Sequence, residues 1–117
     1  MLRFPTTRCA LSMLVALAIA QSATAHQLSV FAWVEGNSVL VEAHLPKGKR
    51  PKLGDVLVYD GEDQLLLKTG LQPDGTASFP LDHWETGYRI VVDIGHGHQA
   101  YWIMTPYDIQ QQRDGLQ

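Results

Sequence analysis

A chain of 117 residues with nine Lys and Arg against twelve Asp and Glu is mildly acidic. It therefore lacks the concentrated basic surface that nucleic-acid binding requires. A single cysteine excludes a disulfide framework, and the length fits one domain with one core.

Residues 1–25 read as a signal peptide. A basic start (Arg3, Arg8) leads into an apolar run from Leu11 to Ala20, and Ala23-Thr24-Ala25 forms an A-x-A type cleavage site. The run is short of the roughly 20 apolar residues that cross a bilayer. No later segment is apolar enough to span, so no integral membrane segment is expected after cleavage. Cys9 follows Arg8, without the small-residue context of a lipid attachment site, and leaves with the leader. The expected product is a periplasmic protein that starts at His26 and has no thiolate. Any metal site in it must use nitrogen and oxygen donors. Losing Arg3 and Arg8 leaves seven basic against twelve acidic residues, a net charge of −5, on 92 residues.

The predicted domain spans residues 26–104. Gln27 to Glu35 alternates as a strand, with Leu28, Val30, Ala32 and Val34 on one face. Gly36-Asn37 is a two-residue hairpin pair, and Ser38 to Leu45 returns with Val39, Val41, Ala43 and Leu45 on the matching face. Pairing Glu35 with Ser38 makes the two apolar rows coincide, with Val34 opposite Val39 and Leu28 opposite Leu45. Phe31, Trp33, Leu40, Glu42 and His44 fall on the other face.

A basic loop, Lys47-Gly48-Lys49-Arg50-Pro51-Lys52, precedes short strands over Asp55–Asp60 and Gln64–Thr69, separated by Gly61-Glu62-Asp63. Pro73-Asp74-Gly75 is a turn by its chemistry. A strand follows over Thr76–Phe79, then an irregular stretch from Leu81 to Gly87. Tyr88–Ile94 is strongly β, Gly95-His96-Gly97-His98 interrupts, and Ala100–Met104 is the last strand. The polar, Gln-rich tail over residues 105–117 is expected to be frayed, and no helix or repeat is expected. Seven short strands with turn signals between them predict a single antiparallel seven-stranded β-sandwich.

The candidate chemistry lies in histidines. A free α-amine on His26 has a pKa near 7.7–8.0, so a metal can displace its proton near neutral pH. Amine and imidazole Nδ1 can then close a chelate ring on one divalent transition metal. His96 and His98, spaced i and i+2, share one side of an extended chain. Their flanking glycines allow close backbone approach and unusual dihedrals. His44 is a further metal candidate, opposite Ser29, with His26 about 10 Å further along an ideal strand. His83, between Asp82 and Trp84, is expected in a loop. Glu42 and Asp93 are candidate oxygen donors or acceptors for imidazole N–H groups.

Each feature has a plainer account: a turn with exposed histidines, solvated strand carboxylates, a solvated basic loop. The loop alternatively meets anionic headgroups or an acidic partner. Phe31 and Trp33 either lie under a cover or offer an apolar patch to a partner. Trp84, Tyr88, Tyr101 and Trp102 are expected as core and rim packing. Phosphate loop, nucleophile elbow and H-E-x-x-H helix are all lacking, so catalysis is not expected.

These residues carry a resemblance. His26-Gln27-Leu28-Ser29-Val30-Phe31-Ala32-Trp33-Val34-Glu35-Gly36 resembles the start of the auxiliary periplasmic component, NikL or CbiL, of nickel/cobalt energy-coupling-factor transporters. Val91-Val92-Asp93-Ile94-Gly95-His96-Gly97-His98-Gln99-Ala100 is similar to that family's "D-A-G-x-G-H-x-A" element. Gln72-Pro73-Asp74-Gly75-Thr76-Ala77-Ser78-Phe79 resembles the "DGxFxF" hairpin of carboxypeptidase regulatory-like sandwiches. The resemblance covers roughly residues 25–104 and implies a transthyretin- or carboxypeptidase-regulatory-like fold. It also implies binding of Ni²⁺ or Co²⁺, a membrane metal-uptake transporter as partner, and motif roles for His26 and His98, with His96 at a variable position. Such proteins usually continue into a membrane helix, which this sequence does not show before Gln117; a free periplasmic protein is therefore expected. Two rivals remain. One is a periplasmic copper-binding protein with the same terminal histidine, since the ligand set itself favours Cu²⁺ on affinity. The other is a non-metal interaction module of the envelope. Beyond the leader Met104 is the only methionine, which argues against Cu(I) carriage.

Overall fold

The structure, a computed structural model, describes residues 27–115; the predicted signal peptide and His26 lie outside the described residues. Seven strands follow in the predicted order: β1 (Ser29–Glu35), β2 (Ser38–His44), β3 (Asp55–Asp60), β4 (Leu65–Gly70), β5 (Thr76–Pro80), β6 (Tyr88–Asp93) and β7 (Gln99–Met104). They form two antiparallel sheets, β1-β2-β5 and β4-β3-β6-β7.

The β1–β2 register is the predicted one, with Glu35 opposite Ser38, Val34 opposite Val39 and Ser29 opposite His44. Gly36 takes φ +65° in the connecting turn, the left-handed conformation that a tight hairpin needs. Because successive side chains alternate, that register turns Val30, Ala32, Val34, Val39, Val41 and Ala43 inward together. The second sheet answers with Val56, Val58, Ile90 and Val92, all fully buried. Phe79 meets Tyr88 edge-on at 5.3 Å, joining the two layers. The Tyr88 hydroxyl donates to the Asp82 carbonyl, and burial pushes its pKa up to about 12.

Strand direction decides which loops share an end. Leu81 N donates to Asn37 O at 2.9 Å, and Phe79 at the end of β5 touches Tyr88 at the start of β6. The β1–β2 turn, the end of β5 and the start of β6 therefore lie together. Alternation puts the start of β1, the end of β2, the 45–54 loop, the 71–75 turn and the β6–β7 hairpin at the opposite end. Ala43 N to Gly75 O and Leu71 N to Gly54 O, both 2.9 Å, tie that end together. By the same logic β1 and β7 run in the same direction along one side of the sandwich. No ladder joins them, and Phe31 packs on Trp102 across the seam at 5.5 Å.

The expected frayed tail is instead a helix, α1, over Pro106–Gly115. Thr105 and Asp108 close a reciprocal capping box: Asp108 N donates to Thr105 Oγ1, and Thr105 N to Asp108 Oδ2, each at 3.0 Å. Pro106 occupies the first helical position, where its missing N–H costs nothing. Ile109 is fully buried in the core, and Val34 N on the open edge of β1 donates to Gln112 Oε1 at 2.7 Å. The Arg113 guanidinium lies 5.1 Å from the centre of the Trp84 ring. Polarity suggested fraying because only one side chain of the helix is buried; the cap, that anchor and the edge bond order it. Among the described residues no helix is long and apolar enough to cross a membrane.

Ile109→Ala is expected to lower unfolding stability by about 2–5 kcal/mol through the cavity it leaves. Gln112→Ala should cost about 1 kcal/mol for the lost edge bond, and exposed Gln111→Ala almost nothing. Urea titration of the three variants checks this order.

Candidate metal centre at the loop end

The end of the sandwich that carries the start of β1 also carries His44, His96 and His98. In the β6–β7 hairpin, Asp93 pairs with Gln99. Ile94 N donates to His98 O at 3.0 Å, and His98 N to Gly95 O at 2.9 Å. His96 and Gly97 are then the central residues of the turn, with φ +54° and +81°, and Gly95 sits at +95°. Positive φ at both central positions suits the twist of a tight hairpin. A Cβ at Gly95 or Gly97 would meet nothing within 4 Å. The glycines thus serve the dihedrals and not a close backbone approach.

This geometry corrects one expectation about the two histidines. His96 and His98 are not on one side of an extended chain, because the chain reverses between them. His96 is exposed at the tip and His98 half-buried at the base. His98 continues the alternation of Ala100, Trp102 and Met104, the row of β7 that pairs with Val92, Ile90 and Tyr88. It stands across the hairpin from Ile94, which packs on the core.

Asp93 organises the hairpin. Its Oδ1 accepts from Gly95 N at 2.8 Å and its Oδ2 from Gln99 Nε2 at 3.0 Å. These two bonds hold its carboxyl below the usual aspartate range. Asp93 is thus a turn clamp, and an Asp two residues before a Gly is the signal that announces one.

His44 lies on the outer face of the first sheet. Its Nε2 is 2.9 Å from Glu42 Oε1; a carboxylate only accepts, so the imidazole N–H donates. The ring stands edge-on to Phe31 at 5.5 Å. Arg50 Nη2 lies 4.0 Å from the same Glu42 oxygen, and its Nη1 donates to Asp74 O at 3.2 Å. The basic loop is therefore pinned at this end, with Pro51 buried and its lysines exposed. Of the sequence candidates, Glu42 is an acceptor for an imidazole, whereas Asp93 accepts from Gly95 N and Gln99 Nε2. His83, in the predicted irregular stretch, sits at the far end with φ +52°.

The aromatic residues divide differently from the expectation of core and rim packing. Tyr88 is buried, but Tyr101 is 63% exposed on the outer face of the second sheet. Phe31 and Trp102 are 42% and 36% exposed at the seam. Trp33 lines a shallow groove with Leu40, Glu42, Gln72, Thr76 and Ser78.

Among the described residues no three His, Cys, Asp or Glu side chains are grouped closely enough to hold a metal; His26 lies outside them. No family model, curated protein or solved structure matches the chain.

Because the Asp93 carboxyl titrates lower in the folded chain than in the unfolded one, its stabilisation is complete above about pH 4. It is lost as pH falls through the folded-state value. The stability gap between the native chain and Asp93→Ala should stay constant from pH 7 to about pH 5, then close on acidification. Denaturant midpoints measured across that range check the sign.

Proposed function

We propose that this chain is an exported metal-binding β-sandwich that captures a divalent transition ion, Ni²⁺ or Co²⁺, for a membrane uptake transporter. The α-amine and imidazole of His26 form the chelate, His98 adds an imidazole, and His96 contributes from the turn tip. The observation that carries the reading is topological. The start of β1 and the base of the β6–β7 hairpin lie at one end, on neighbouring strands that run in the same direction. In the sequence, His26 continues the period-two row of Val30 and Leu28. His98, immediately before β7, continues the inward row of Ala100 and Met104. On this reading the chelate at the start of the mature chain meets His98 at that end. His44 has outward parity and a carboxylate partner, so it stands outside this ligand set.

The choice of nickel or cobalt, the transporter and the carboxypeptidase-regulatory-like relationship rest on the sequence resemblance at both ends of the domain. Nitrogen ligands alone would favour Cu²⁺, which makes a periplasmic copper-binding protein the second metal reading. The exposed Phe31–Trp102 pair supports a different reading, a non-metal contact module. On that reading a chelator changes neither stability nor partner binding.

Isothermal titration with Ni²⁺, Co²⁺ and Cu²⁺ should show tight binding to protein that begins at His26 and a loss of at least tenfold when one residue precedes it. His98→Ala should weaken binding comparably, while His44→Ala leaves it within about twofold. Equal affinity with and without the extra residue refutes the terminal chelate.

A further inference from the structure

The β6–β7 hairpin carries its backbone cost at one residue. Three consecutive residues, Gly95, His96 and Gly97, have positive φ. Glycine takes that conformation freely, whereas an L side chain is disfavoured there. His96 is the residue that pays, and such a residue persists only where its surroundings over-determine it. The hairpin's own bonds, Ile94 N to His98 O and His98 N to Gly95 O, close the turn, and one carboxylate reinforces them. Asp93 spans the turn, accepting from Gly95 N at its entry and from the Gln99 side chain just past its exit. Its two oxygens thus bracket the segment that contains both histidines.

Resting on the metal-binding reading above, we propose that Asp93 is the positioning residue of the centre. Through Gly95 and Gln99 it holds His98 at the mouth of the sandwich, and it is not itself a ligand. Each Asp93 oxygen already accepts an N–H that holds the turn. The other carboxylates at this end also have partners. Glu42 accepts from His44, Asp74 accepts from both the backbone and the hydroxyl of Thr76, and Asp55 lies 3.9 Å from Lys68 Nζ. On this reading the ion's donors are the nitrogens of the terminal chelate and of His98. Such a set takes borderline cations such as Ni²⁺, Co²⁺ and Cu²⁺ and rejects Mg²⁺, Ca²⁺ and Mn²⁺, which prefer oxygen.

The test uses protein that begins at His26, titrated with Ni²⁺ for affinity and loaded with Co²⁺ for its visible spectrum. Asp93→Ala should weaken Ni²⁺ binding roughly tenfold, the low end for an outer partner of a metal site, with the Co²⁺ bands unmoved. Asp93→Asn keeps an oxygen for Gly95 N and should restore affinity to within about twofold. It also serves if the alanine variant does not fold. Mn²⁺ should not compete. Native affinity in Asp93→Ala alongside weakened His98→Ala overturns this inference alone. Shifted Co²⁺ bands, or an Asn variant as weak as the Ala one, make Asp93 a ligand and also overturn it. Native affinity in His98→Ala removes the metal reading beneath it.

Discussion

The inward row of β1 and β2 sets the position of everything else in the molecule. Val30, Ala32 and Val34 face the second sheet together with Val39, Val41 and Ala43, and all six are buried. A slip of one residue in that ladder would bury Glu42 and His44 and expose the valines. An unpaired carboxylate in an apolar interior costs several kcal/mol, so the register is held from both sides. Phe79 meets Tyr88 across the two layers, and the strand directions bring the β6–β7 hairpin level with the start of β1. The location of the candidate centre thus follows from packing.

Much of this was legible in residues 27–104. Period-two alternation and turn chemistry gave seven strands close to their observed limits, and Gly36-Asn37 gave the first register residue for residue. What escaped were features set by single contacts. In α1, one buried isoleucine and a Thr-Pro-Tyr-Asp cap do the work that an apolar stripe does in most helices. The cap was visible at Thr105 and Asp108, but polarity at the other positions masked it. Histidine spacing in Gly95-His96-Gly97-His98 was visible too. Its meaning changed because three positive φ angles reverse the chain where an extended reading would run straight through.

The candidate site was legible as a set of residues and not as an arrangement. The sequence offers His44, His96 and His98 as metal candidates, with His98 alone of the three on a motif position by the resemblance. The fold separates them into an outer-face imidazole held by Glu42, a turn-tip imidazole, and one at the base of the hairpin on the core-facing row. Asp93 shows the limit from the other direction. Among carboxylates near histidines it was a plausible donor to metal or imidazole, and its oxygens accept instead from the backbone of Gly95 and the side chain of Gln99.

The seam between β1 and β7 has a consequence for handling this protein at high concentration. Two strands running side by side without a ladder leave main-chain donors and acceptors on an open border, which is the usual template for intermolecular strand addition. Gln112 occupies part of that border through Val34, so α1 acts as a guard against fibre-like self-association. Proteolytic trimming of the C-terminal turns would uncover an aggregation-prone rim while leaving the valine interior intact.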